Sequence, residues 1–180
     1  MRLTDTRRLT GPSLLLDDPG AIIEAEVSDG HADALISAWT ARLGEALDAL
    51  GWGTPETGVR RYSGGVSLAF RAPLDALYAA TEANEWAFAR AVEDLEGDGE
   101  EALGDVARDH SLEEIRLNTE AERNPSLHAL EAAADAHGVS FLWDDDHASV
   151  GLGTGSRTWP VGEIPETEAI EWDALHEVPT

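Results

Sequence analysis

Apolar residues recur at two distinct spacings along the chain, and each spacing predicts an element type. Ala21–Ser28 (AIIEAEVS) is β-branched and apolar, and predicts a strand. From about residue 31 to 50 the apolar positions are Ala32, Leu35, Ile36, Trp39, Leu43, Ala46, Leu47 and Leu50. They stand three or four apart and form one helical stripe, with Asp29 placed to cap its start and Gly51 to end it. The stretch GVRRYSGGVSLAF predicts a hairpin turning at Ser63-Gly64-Gly65, with Val66, Leu68 and Phe70 alternating toward one face. Pro73 is expected to open a second helix, where its missing N–H removes no helical bond. That helix runs to about Leu95 on the stripe Leu74, Leu77, Tyr78, Thr81, Phe88, Val92 and Leu95, and Gly97-Asp98-Gly99 breaks it.

The pattern then changes. An acidic helix is expected over 100–109. Ser111-x-x-Glu114 is a capping box that starts another. Asn124-Pro125 starts a further helix, ended by His137-Gly138. Three short strands follow, Val139–Trp143, Ala148–Leu152 and Arg157–Val161. Residues 162–180, polar, acidic and Pro-containing, read as a linker. The order predicts an α+β fold: a β-α-β-β-α core, acidic helices, then a C-terminal three-stranded β-meander. One domain is expected over 1–161, with 162–180 leading away from it. Length permits a substantial core, and no internal repeat is visible.

Composition narrows the chemistry. The 180 residues hold 36 acids and 12 bases, a formal charge of −24; every base is Arg, and Lys and Cys are absent. Without Cys there is no disulfide framework or thiolate site. Without Lys there is no Walker phosphate loop and no Schiff-base chemistry. So negative a chain repels nucleic acid and anionic membrane. The charge is uneven: residues 1–71 carry 10 acids against 7 Arg, residues 72–180 carry 26 against 5. Self-repulsion of this size is screened by salt, so the composition reads as adaptation to a saline cytoplasm. A functional acidic surface, such as a nucleic-acid mimic, is the rival reading. The N-terminal MRLTDTRRLTG has no apolar segment after its bases, and no run is long enough to span a bilayer. A cytoplasmic location is expected.

Few residues break the pattern. From Thr81, Glu85 lies about 40° round the second helix, inside the apolar stripe. A carboxylate there needs a partner: either a structural ion pair, for which an Arg of the hairpin is the candidate, or a ligand cation or binding partner. Glu82 and Trp86 flank it. Arg7-Arg8 and Arg60-Arg61 are the only basic pairs; they either neutralise neighbouring acids or bind an anion. Gly151-x-Gly153-x-Gly155 departs from dinucleotide-loop spacing and reads as a turn between strands. Asp144-Asp145-Asp146-His147 lacks the Gly and Glu of a Ca²⁺ loop and reads as an acidic hairpin turn. The six His residues show no i,i+4 pairing. No catalytic constellation is complete and no metal site is expected.

Several stretches resemble the amino-terminal region of cyanophycin-synthetase-like members of the Mur ligase family. Arg7-Arg8-Leu9-Thr10-Gly11-Pro12-Ser13-Leu14, with Asp18-Pro19-Gly20, is similar to its start, although many such synthetases carry Arg-Gly-Pro-Asn where this chain has Thr-Gly-Pro-Ser. Ala72–Glu82, followed by Asn84-Glu85-Trp86-Ala87, resembles a second stretch. Glu122-Arg123-Asn124-Pro125, the Gly151–Ser156 segment and His176-x-Val178-Pro179 are also similar. The resemblance implies a non-catalytic amino-terminal domain of an ATP-dependent amide ligase, one that helps to hold substrate or polymer. ATP and magnesium would belong to a neighbouring domain, where an acyl-phosphate forms and an amine attacks it. The Gly-x-x-Gly-Lys-Thr loop of that domain is not in this chain. The expected partners are therefore a ligase catalytic domain or subunit, and an amino-acid or polyamide substrate. The alternative is a free-standing interaction protein docking on a separate ligase subunit. The expected contact surface is the hairpin and second helix: Arg60, Arg61, Glu82, Asn84, Glu85 and Trp86, with Arg7 and Arg8.

Overall fold

The computed structural model describes residues 1–28, 30–54, 56–97 and 111–175. The expected acidic helix 100–109, the Asp29 cap and the His176-x-Val178-Pro179 stretch lie outside them. The fold is α+β, with two antiparallel sheets of four and three strands. The chain divides into two compact units, Met1–Arg123 and Asn124–Thr180.

In the first unit, β1 (Arg2–Leu9), β2 (Gly20–Glu26), β3 (Thr57–Tyr62) and β4 (Gly65–Arg71) form a sheet of order β1-β2-β4-β3. Strand β1 carries no apolar alternation that would announce it. It is an edge strand, held by its ladder to β2 and by cross-strand charges: Arg2 Nε lies 3.3 Å from Glu26, and Arg7 Nη2 lies 3.2 Å from Glu24. Register alternates faces along β2. Ala21, Ile23 and Ala25 are fully buried, while Glu24 and Glu26 point the other way.

Helices α1 (Ala32–Leu50) and α2 (Leu77–Glu96) pack together and against the sheet. Leu35, Trp39, Leu43, Ala46 and Leu47 bury the predicted stripe of α1. Gly51 ends the helix in the left-handed conformation at φ 73°. Small residues line the buried side of α2 (Ala79, Ala80, Ala83, Ala87 and Ala91), which lets its backbone approach its neighbours closely. On the opposite sheet face, Leu16 from the loop after β1 packs on Ile22 and Ala69.

Helix α2 starts four residues later than Pro73 suggested. Pro73 instead accepts from the Ala76 N–H in a turn, and Leu74 is buried there. Ala76, the residue before the helix, has no side chain that can cap it. Helix α3 (Leu112–Glu122) begins at the predicted capping box: Ser111 Oγ accepts from Glu114 N, and Glu114 Oε2 accepts from Ser111 N.

The second unit contains α4 (Pro125–Ala136), capped by Asn124, and the meander β5 (Phe141–Trp143), β6 (His147–Val150), β7 (Arg157–Pro160) in that order. Leu127, Leu130, Ala134, Ala148 and Val150 are its buried apolar residues. The stretch read as a linker carries three short 3-10 turns over residues 161–175 beyond β7, and Ile170, Trp172 and Leu175 are buried. Trp172 stacks on His137 with ring centroids 4.8 Å apart.

Candidate functional site

Sheet order decides which of the flagged residues meet. Strands β1 and β3 are opposite edges, so Arg7-Arg8 and Arg60-Arg61 are separated by the full width of the sheet. Helix α2 packs on β1 and β2. Glu85 therefore lies on the β1 side, away from the hairpin Arg residues proposed as its partners. Arg61 pairs with Asp33 of α1 instead. Arg60 is exposed on the edge strand β3. The surface expected from hairpin and second helix is thus divided.

What converges is β1 with α2. Thr6, Arg8 and Thr10 from one side, with Tyr78, Thr81 and Glu85 from the other, line an open cleft of about 560 Å³. Alternation along β1 explains the selection. Thr6 and Arg8 stand opposite Ile23 and Ala21, on the helix face. Arg7 stands opposite Ile22 and directs its guanidinium to the other face, 2.7 Å from Asp5 and 3.2 Å from Glu24, although it also borders the cleft. The two adjacent Arg residues are therefore not one anion-binding pair. The Arg8 guanidinium lies over the Tyr78 ring, 3.8 Å from its centroid. Glu85 is 8% exposed. The Thr6 hydroxyl is buried and has no hydrogen-bond partner among the described residues.

The other flagged residues of α2 divide by helix face. Asn84 is fully buried: its Oδ1 accepts from Trp39 Nε1 at 2.8 Å and its Nδ2 donates to the Leu68 carbonyl at 3.2 Å. It ties α1, α2 and β4 together and does not reach the cleft. Glu82 accepts from Asn118 of α3 at 2.8 Å. Trp86 is half-buried on the flank.

One further residue reaches this region, to which the sequence assigns no role. Glu122, at the end of α3, takes the backbone N–H of Tyr78 at 2.9 Å on one oxygen and that of Ala79 at 2.7 Å on the other. A carboxylate from another helix thus supplies the cap that Ala76 cannot, at the positive end of the helix dipole. Burial pushes the Glu122 carboxyl above its ordinary value, and neighbouring Glu82 adds to this; the two N–H donors and Arg8 pull against it. Nothing local in Thr-Glu-Ala-Glu-Arg marks this role, because the partner is over 40 residues away.

Chemically, the cleft is lined by a cation seated on an aromatic ring, a largely buried carboxylate and three threonine hydroxyls. Such a set suits a ligand bearing both a carboxylate and a cationic group. A larger cleft of about 910 Å³ lies where β1 begins; there Arg2 pairs with Glu26, and His31 Nδ1 lies 2.7 Å from Ser28 Oγ. In the second unit, Asp144 Oδ1 accepts the N–H groups of Asp146 and His147, at 2.9 and 2.7 Å, as an acidic hairpin turn does. Gly153–Gly155 form a 3-10 turn between β6 and β7, and a strand follows where a dinucleotide loop would need a helix. Among the described residues no helix is long and apolar enough to cross a membrane. Comparison with protein-family models and with curated proteins finds no match to this chain.

Proposed function

We propose that this chain is a non-catalytic, substrate-holding or scaffolding amino-terminal domain of an ATP-dependent, Mur-ligase-like amide ligase. One observation carries the reading. Two of the stretches that carry the resemblance, around Arg7-Arg8 and around Ala72–Ala87, are some seventy residues apart in sequence and converge on a single cleft. The side chains meeting there, Arg8, Tyr78, Thr81 and Glu85, suit an amino-acid or polyamide ligand whose carboxylate and cationic ends are both recognised. ATP and magnesium belong to the catalytic partner, a neighbouring domain or separate subunit.

Salt adaptation belongs to the same proposal. It is supported by the charge of −24 and by Arg side chains spent on intramolecular pairs with Glu or Asp, such as Arg2–Glu26, Arg42–Asp94 and Arg116–Glu113.

Isothermal titration at high salt, with a panel of zwitterionic amino acids and a soluble polyamide bearing both charges, tests the cleft. Binding by the wild-type chain that Arg8→Ala and Glu85→Gln each weaken about tenfold supports it. Heats indistinguishable from dilution for every ligand, or binding indifferent to both substitutions, overturn it.

A further inference from the structure

We infer that Glu122 is a positioning residue that latches the cleft: its carboxylate, bridging the N–H groups of Tyr78 and Ala79, fixes the first turn of α2 and so holds the Tyr78 ring beneath Arg8. The inference rests on the reading of this cleft as the ligand-holding site.

The geometry is specific. Both Glu122 oxygens are committed to consecutive backbone donors, at 2.9 and 2.7 Å. Those donors belong to the residue that carries the cleft's aromatic ring and to the next one along. Tyr78 is itself 54% exposed, with the Arg8 guanidinium over its ring. Its position depends on where the helix begins, and Ala76 contributes no cap of its own. The latch is also remote in sequence, since α3 delivers it across the end of α2.

Glu122 is poised to release. An ionised carboxylate presents acceptor lone pairs on both oxygens, whereas a protonated one turns one oxygen into a donor and cannot hold two N–H groups equally. The ionisable groups acting on it are Glu82 of α2 and Arg8 of β1; just past the end of its own helix, Arg123 turns to Glu120 at 3.5 Å. Helix α1, which also packs on α3, directs Arg42 to Glu45 and Asp94. Burial and Glu82 favour the proton, while Arg8 and the two N–H groups oppose it. Glu122 thus takes up a proton more readily than surface carboxylates do. A cation entering beside Glu82 and Glu85 would oppose that uptake, and tighten the latch as the cleft fills.

The test uses the unliganded full chain, so its failure is distinct from a failure of ligand binding. In NMR titration of isotopically labelled protein at high salt, the Tyr78 and Ala79 amides are expected to shift with the same midpoint as the Glu122 side-chain carboxyl. The ring-current shift of the Arg8 side-chain protons should fade over the same interval. Glu122→Gln is expected to abolish this shared titration and to speed amide exchange at Tyr78 and Ala79 about tenfold. Amides that stay flat while Glu122 titrates would overturn the latch. So would an unchanged Arg8 ring-current shift in Glu122→Gln. Should that variant not fold, the wild-type titration alone decides.

Discussion

Asn84 offers the sharpest quantitative test, because the family resemblance made it a candidate contact and the fold makes it a core bolt. The perturbation is Asn84→Ala. It removes the acceptor of Trp39 Nε1 and the donor to the Leu68 carbonyl, both at a site with no solvent. The Trp39 N–H becomes a buried orphan, at a cost of about 1–3 kcal/mol. The Leu68 carbonyl loses only its additional donor, a smaller effect of about 0.5 kcal/mol. A small void adds about 1 kcal/mol. The expected loss is therefore about 3 kcal/mol, a large share of a domain's stability. Trp39→Phe should cost a comparable amount by the reverse route, stranding the Asn84 oxygen. The double change Trp39→Phe/Asn84→Ala should cost clearly less than the sum of the two singles, because it removes both polar partners together. Urea unfolding at high salt, followed by circular dichroism, measures all of these. A loss below about 1 kcal/mol for Asn84→Ala, or strict additivity in the double variant, would refute the reasoning.

Other outcomes follow from the same structure. Gly20→Ala should destabilise by about 3 kcal/mol or prevent folding, since its Cβ would overlap the Phe70 carbonyl oxygen; a thermal melt close to wild type would contradict this. Raised above its unfolded value, the Glu122 carboxyl contributes stability that is fully present below that value and is lost as pH rises through the raised one. Glu82→Gln removes part of the cause, so the variant should gain on wild type as pH rises from acid to neutral, and urea midpoints at a series of pH values would show it. Ser111→Ala breaks the capping box and should cost about 1 kcal/mol, read in the same unfolding assay. With a charge of −24, the melting temperature should rise with salt over the molar range, and a chain indifferent to salt would remove the case for saline adaptation.

Elements with a strong local signature were legible without a structure. The stripe of α1, the Gly51 cap, the Ser111 box, the Asn124-Pro125 start and the meander strands each depend on residues a few positions apart. Short-range sterics and hydrogen bonding determine such features, so the α+β class and the order of elements followed. Strand β1 was missed for a related reason. It is held by β2's backbone and by Glu24 and Glu26, not by its own apolar content. The start of α2 was misplaced because its cap comes from Glu122, a partner that local reading does not reach.

The sequence by itself thus determined the class, the charge and the oddity of Glu85 within an apolar stripe. Only the tertiary structure decided which charges meet. Two Arg pairs look alike along the chain, yet β1 and β3 are opposite edges, and α2 lies on the β1 side. Alternation then splits Arg7 from Arg8, sending one to Glu24 and the other over Tyr78. Helical rotation likewise separates Asn84, bonded to Trp39 in the core, from Glu85, which borders the cleft. Pairing order and helix docking arise from contacts between distant segments, and those contacts gather Arg8, Tyr78, Glu85 and Glu122 in one place.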